Sequence, residues 1–186
     1  MSNLCPSARG IGVDDYLQGE LHSETRHEYI GGQLYAMVGA SRRHGLIAGN
    51  LFARLRQAVS HRPCQLFMAD MKVRLNIAGQ EIFYYPDLVL TCDPNDREDY
   101  FVTCPCLIVE VLSETTERLD RREKLLAYQT IPSLREYLLV AQDEPRTEAY
   151  RRRNDWLPDI ATEGGIALEC LDVDLAVEAI YEDVPR

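Results

Sequence analysis

The sequence predicts an α/β (α+β) sandwich: a central mixed β-sheet flanked by helices, with a β-hairpin near the N-terminus. Three observations predict it. Segments with helical and strand periodicity follow in the order helix, three strands, helix, strand, which suits helices layered on a sheet. The run Cys106 to Leu112 is almost continuously apolar, as expected of a central strand buried on both faces. After Ser41, Ile47, Leu51 and Leu55 recur every four residues and form one inward helical stripe.

Taken in order, residues 13–20 suit a short helix, with Asp14 or Asp15 placed where a carboxylate meets the positive helix end. His27 to Met37 holds two short alternating runs about Gly31-Gly32, a hairpin signal because glycine tolerates the positive φ of tight turns. Ser41 is a good N-cap for a helix reaching about Ser60, with His44 one turn before Ile47. Gln65 to Leu75 reads as one strand, Asn76 to Gln80 as a turn and Glu81 to Leu90 as a second strand. Pro86 within that second strand predicts an edge, bulge or bend. Cys92 to Asp99 is a polar loop. After the central strand, Ser113 to Thr116 offers caps for a helix that Ile131-Pro132 ends. Glu136 to Val140 is a further strand, and Arg146 to Trp156 a peripheral hairpin turning at Asn154-Asp155. Leu168 onward reads as a short strand and a terminal helix over 173–180.

At 186 residues the chain suits one domain, 1–186, with room for a real core. No apolar run is long enough to cross a bilayer, and Met1 to Arg9 lacks a secretion signal, so the expected location is cytoplasmic. Six cysteines, at 5, 64, 92, 104, 106 and 170, form no Cys-x-x-Cys pair and are expected as reduced, packed thiols. A formal charge of −10 argues against a protein that binds nucleic acid by spreading over phosphates, but not against an enzyme whose metal supplies positive charge locally.

The chemistry-bearing residues lie between Tyr85 and Tyr128. Glu110 sits inside Leu-Ile-Val-Glu-Val-Leu, where an ionised carboxylate is costly unless compensated. It either binds an arginine such as Arg121 or Arg122, or belongs to a site. Asp87 opens Leu88-Val89-Leu90, and its alternative is turn chemistry after Pro86. On adjacent strands the two carboxylates would approach to about 5 Å and repel by about 3 kcal/mol at an effective dielectric near 20. A divalent ion held by oxygen ligands relieves that and leaves positions for water and a phosphate oxygen. Asp120, Lys124, Ala127, Tyr128 and Ile131 share a helical face, so Lys124 is either half of a surface pair or a group that orients water or stabilises phosphate charge. Glu28 and His44 are further candidates. Arg42, Arg43, Arg121, Arg122 and Arg151-Arg152-Arg153 are candidate phosphate contacts.

The chain resembles the Uma-two family of restriction-endonuclease-like proteins, within the PD-(D/E)xK nuclease superfamily. The resemblance rests on Arg26-His27-Glu28-Tyr29-Ile30-Gly31-Gly32, the helix opening at Ser41 with His44, and Tyr85-Pro86-Asp87. It continues through Val109-Glu110-Val111-Leu112-Ser113, Asp120 to Tyr128 and Glu136-Tyr137-Leu138-Leu139-Val140, covering about residues 14–182. It implies a restriction-endonuclease-like core, Mg²⁺ or Mn²⁺ as cofactor, DNA as substrate and a possible homodimer. Asp87 takes the place of the first acid and Glu110 of the second, with the main-chain carbonyl of Val111 as a further metal ligand. The superfamily lysine is expected two residues after the second acid, where this chain has Leu112; Lys124 is the substitute. A metal-dependent DNA endonuclease follows. The alternatives are a nuclease-like scaffold that binds or regulates without cutting, and a phosphohydrolase acting on a smaller substrate.

Overall fold

The computed structural model describes residues 10–114 and 116–185, so the reading of residues 1–9, Cys5 included, lies outside it. The elements run α1 (Val13–Glu20), β1 (His27–Ile30), β2 (Gln33–Ala36), α2 (Arg42–Ala58), β3 (Gln65–Met68), β4 (Lys72–Ile77), β5 (Gln80–Tyr84), β6 (Leu88–Thr91), β7 (Phe101–Val102) and β8 (Pro105–Val111). Next, α3 (Glu117–Leu119) passes through a π-helical turn, Asp120–Lys124, into α4 (Leu125–Gln129). Strands β9 (Glu136–Val140), β10 (Thr147–Arg151), β11 (Pro158–Ala161), β12 (Gly165–Leu168) and β13 (Val173–Ala176) precede α5 (Val177–Ile180).

The strands form a five-stranded sheet in the order β2-β1-β5-β4-β7, a six-stranded sheet β11-β10-β9-β8-β6-β3 and a β12-β13 ribbon. Neighbours are antiparallel except β4 with β7 and β8 with β9, which makes both larger sheets mixed. The six-stranded sheet is the middle layer. On one face Ile47, Leu51 and Leu55 of α2 pack with Leu88, Leu90, Leu107 and Val109, and the β12-β13 ribbon adds Ile166 and Leu168. On the other face Val89, Ile108 and Leu112 meet Tyr128, Ile131 and Leu134, together with Val73 and Ile82 of the five-stranded sheet. With both faces covered, all seven residues of β8 are buried, which explains its unbroken apolar run.

Local chemistry places the elements. Ser41 Oγ accepts a hydrogen bond from the His44 amide, capping α2 as its sequence predicts. Gly31 and Gly32 turn the β1-β2 hairpin with φ of 55° and 96°.

Four expectations are corrected. Gln65 to Leu75 is two strands in different sheets, broken where Ala69 and Asp70 take φ of 46° and 36°. The alternation in fact changes phase there, from even positions (Leu66, Met68) to odd ones (Val73, Leu75). Glu81 to Leu90 likewise splits at Tyr85-Pro86-Asp87, where the chain bends from the five-stranded into the six-stranded sheet. Residues 173–180 begin as β13, paired with β12 through Leu168 and Val173, and only Val177–Ile180 is helical. Four cysteines, expected as separate thiols, are joined as Cys64–Cys92 and Cys106–Cys170, with Cys104 free. No helix among the described residues is long and apolar enough to cross a membrane.

Candidate active site

The bend at Pro86 places Asp87 at the mouth of the sheet. Leu88 pairs with Val109, so Asp87, one residue earlier, comes level with Glu110 and Val111. Two donors hold the Asp87 carboxylate. His44 Nε2 lies 2.7 Å from Oδ1, and the Val111 amide donates to Oδ2 at 2.7 Å. His44 arrives there because the capped first turn of α2 points its ring at the sheet end. Glu110 follows Ile108 on the face turned toward the helix of residues 117–129, where only a paired carboxylate is tolerable.

Lys124 provides that pairing. Its Nζ donates to Glu110 Oε1 at 3.0 Å and lies 3.0 Å from Glu28 Oε1 and 3.3 Å from Asp120 Oδ1. Asp120 Oδ1 is nonetheless buried without a hydrogen bond, since the approach from Lys124 is close but poorly aligned. Tyr128 donates to Glu110 Oε1 at 3.4 Å, and the Tyr84 ring lies 5.5 Å below the ammonium. Glu28, on β1, is further held by the Tyr85 amide at 3.4 Å.

Burial pushes the Glu110 carboxyl well above the usual range; Lys124 opposes this, and Asp120, Asp87 and Glu28 add to it. Burial alone would lower Lys124, but Glu110, Glu28 and Asp120 outweigh it and hold the ammonium charged. For His44, burial opposes protonation, while the hydrogen bond and charge of Asp87 and the charge of Asp120 raise its pKa. Glu28, Asp87, Glu110 and Asp120 thus set four carboxyl groups against one ammonium. A cleft of about 310 Å³ opens beside Asp87, lined by Arg26, Met37, Val38, Asp70, Tyr85 and neighbouring residues.

The structure therefore gathers Asp87, Glu110, Lys124, Glu28 and His44 in one place, with Val111 contributing its backbone. Lys124 is buried, so it is not half of a surface pair. Glu110 binds the lysine rather than Arg121, which is occupied by Glu117 and Glu148. The basic run at 151–153 serves the fold. Arg151 is buried against Glu136 and Asp159, Arg152 binds the Leu134 and Ile131 carbonyls, and Arg153 pairs with Glu169. Arg43 binds the Gln142 and Asp143 carbonyls, while Arg42 and Arg122 are exposed.

Sequence reasoning missed a neighbouring buried cluster. Glu20 accepts from the His27 amide and from the Tyr85 hydroxyl, and its other oxygen meets His27 Nδ1; Lys72 Nζ donates to the same Tyr85 oxygen at 3.3 Å. Burial lowers the Lys72 pKa. Its signal was slight: the lysine at the start of Lys72-Val73-Arg74-Leu75 occupies a strand position that can face inward or outward.

A family model described as "Uma2: Putative restriction endonuclease" matches residues 13–178. The protein slr1290 of Synechocystis sp. is 35% identical over 175 residues, spanning 92% of this chain and 91% of that one. A second Synechocystis protein, sll1609, is 36% identical over 148 residues, 77% of this chain and 82% of its own. A crystal structure of an Anabaena variabilis protein, titled a "putative nuclease belonging to DUF820", superposes with a TM-score of 0.73 at 16% identity. It covers 92% of this chain and 97% of that one, and so shares the fold.

Proposed function

The chain belongs to the Uma2 family, and from that premise we propose that its acidic centre hydrolyses DNA phosphodiester bonds with the help of Mg²⁺ or Mn²⁺. One observation carries the reading. Asp87, just before β6, comes level with Glu110 of β8, and neither is neutralised by an arginine among the described residues. The donor set suits a hard divalent cation, because it is all oxygen and the carboxylates around it outnumber the one ammonium. Asp87, Glu110 and the Val111 carbonyl would hold the ion.

When bound, such an ion polarises the scissile phosphate and lowers the pKa of a water. The chain's own groups do the rest. His44 and the Val111 amide fix both oxygens of Asp87, so its remaining lone pairs are aimed before substrate arrives. Lys124, kept charged by three acids, presents a cation beside Glu110 that offsets negative charge building on the phosphate. Glu28 and Asp120 hold that ammonium in place and extend the oxygen set around it. The cleft beside Asp87 gives the substrate its approach. A homodimer, offering one centre to each strand, belongs to the same proposal.

A second reading, a scaffold that binds without cutting, is favoured by Leu112. It fills the expected lysine position and is buried in the apolar core. Purified protein incubated with Mg²⁺ or Mn²⁺ and single- or double-stranded DNA separates the two. Cutting that disappears in both Asp87→Asn and Lys124→Met supports the nuclease. No cutting by the wild type, with DNA still bound, supports the scaffold.

A further inference from the structure

Three of the four joined cysteines form a sulfur cluster that spans both bridges. Cys92 Sγ lies 3.8 Å from Cys106 Sγ, across from one disulfide to the other. Cys92, Cys106 and Cys170 bring their sulfurs within 4.8 Å of one another, and Cys64 is bonded to the first. Two independent bridges would not need to touch. Among the described residues, this is the set of three or more His, Cys, Asp or Glu donors close enough to share one ion.

Backbone irregularity assembles the cluster. Cys64 and Cys92 flank the paired ends of β3 and β6, beyond the Gln65–Thr91 register. Cys106 follows Pro105 in β8. Simple alternation would turn it away from Leu107, yet both pack on the α2 face. The register shift between Leu90 and Thr91 accounts for this: Leu90 faces Leu107 and Thr91 faces Pro105, so Cys106 is the bulged residue, swung toward Cys92. Cys170, in the turn between β12 and β13, closes the set from the ribbon. Cys64, Cys92 and Cys170 are only half-buried, and Cys64 opens on a cleft of about 610 Å³.

We propose that, when reduced, Cys92, Cys106 and Cys170 bind one thiophilic divalent cation of the zinc class, with Cys64, released from Cys92, swinging in as the fourth thiolate. The Cys92–Cys106 separation of 3.8 Å matches the sulfur–sulfur edge of about 3.8 Å that follows from tetrahedral Zn–S bonds of about 2.3 Å. A dithiol reduces each disulfide by two electrons and two protons, leaving as its own disulfide and yielding two thiols. The cation then displaces four thiol protons to solvent. The site ties β3, β6, β8 and the ribbon together at the strand ends opposite Asp87 and Glu110, and soft sulfur ligands separate it chemically from the oxygen centre.

The test uses the whole chain, reduced anaerobically with a phosphine, given Zn²⁺ alone, desalted and assayed for metal by mass spectrometry and for free thiols. Co²⁺ in place of Zn²⁺ should give the intense visible bands of tetrahedral thiolate-bound cobalt. The expected result is one zinc per chain in the wild type and in Cys104→Ser, with affinity lost at least tenfold in Cys106→Ser and Cys170→Ser. Cobalt bands in the unmutated protein keep the result readable should a variant misfold. Reduced protein that retains no zinc, disulfides that survive the phosphine with no zinc bound, or zinc held equally by both variants would each overturn the proposal.

Discussion

His44 and Asp87, 43 residues apart in sequence, meet at 2.7 Å at the end of the six-stranded sheet. The histidine holds the carboxylate whose second oxygen the Val111 amide already binds. Replacing it with alanine should weaken Mn²⁺ binding by roughly 10- to 100-fold, the usual loss when a ligand's supporting partner is removed. His44→Gln, which keeps a donor, should recover part of that. Calorimetric titration of Mn²⁺ into each variant makes the comparison, and equal affinities would show that Asp87 needs no such support.

Lys124 compensates three buried acids, so its removal should cost stability as well as activity. Lys124→Met is expected to lose about 3–5 kcal/mol, as when one partner of a buried ion pair is deleted. Adding Glu110→Gln should return much of it, because the stranded charge is then gone. Urea unfolding of the single and double variants checks this. Were the double variant less stable than the Lys124 variant alone, Glu110 would not be the charge that Lys124 neutralises.

Glu148 supplies the pH dependence. Despite its burial, Arg121, Arg146 and Tyr150 hold its carboxyl down at about 2, below the ordinary 4.5. A depressed carboxylate contributes stability that is complete above its unfolded pKa and is lost as pH falls through its folded one. The window is therefore from about 4.5 down to about 2. At neutral pH the contribution is on the order of 3 kcal/mol. Glu148→Gln should flatten that part of the stability-versus-pH curve, measured by denaturant unfolding at stepped pH. A slope unchanged from the wild type would remove Glu148 from the account.

Arg151 is buried with Glu136 and also reaches Asp159 and the Ala167 carbonyl. Glu136 in turn accepts the Glu169 and Cys170 amides, so the pair fastens the turn after β12 to the sheet. Arg151→Ala should destabilise by about 3–5 kcal/mol, whereas Arg151→Met with Glu136→Leu should recover part of it. Thermal unfolding of both variants tests the point. It also tests that these residues belong to the fold: DNA affinity of the double variant should match the wild type.

Much of this was legible in the sequence where a single physical rule acts. The cap at Ser41, the Gly31-Gly32 hairpin and the doubly covered β8 follow from side-chain chemistry and apolar pattern. The broken strands at Ala69-Asp70 and Tyr85-Pro86-Asp87 were harder, since a bend between two sheets leaves the apolar content of the run intact and shows only as a slip in alternation. Glu110 stood out because a charge inside an apolar strand demands a partner, and Lys124 because its helical face pointed inward. Lys72, Tyr85 and Glu20 escaped notice because their meeting depends on how the two sheets stack. The sulfur cluster escaped because a bulge decides the direction of Cys106, and no spacing rule encodes it.

The carboxylate of Glu110 rides on a strand locked by main-chain pairing and that of Asp87 sits one residue before another, while the ammonium of Lys124 rides on a helix held to the sheet by side chains. On the proposed function, cation affinity and turnover would be set by separate parts of the chain. Substitutions beneath the helix, at Ile131 or Leu134, would shift the amine while the strand pairing that sets the acids stays intact. On that reading, helix packing alone would silence or restore the proposed centre, with the residues that define it unchanged.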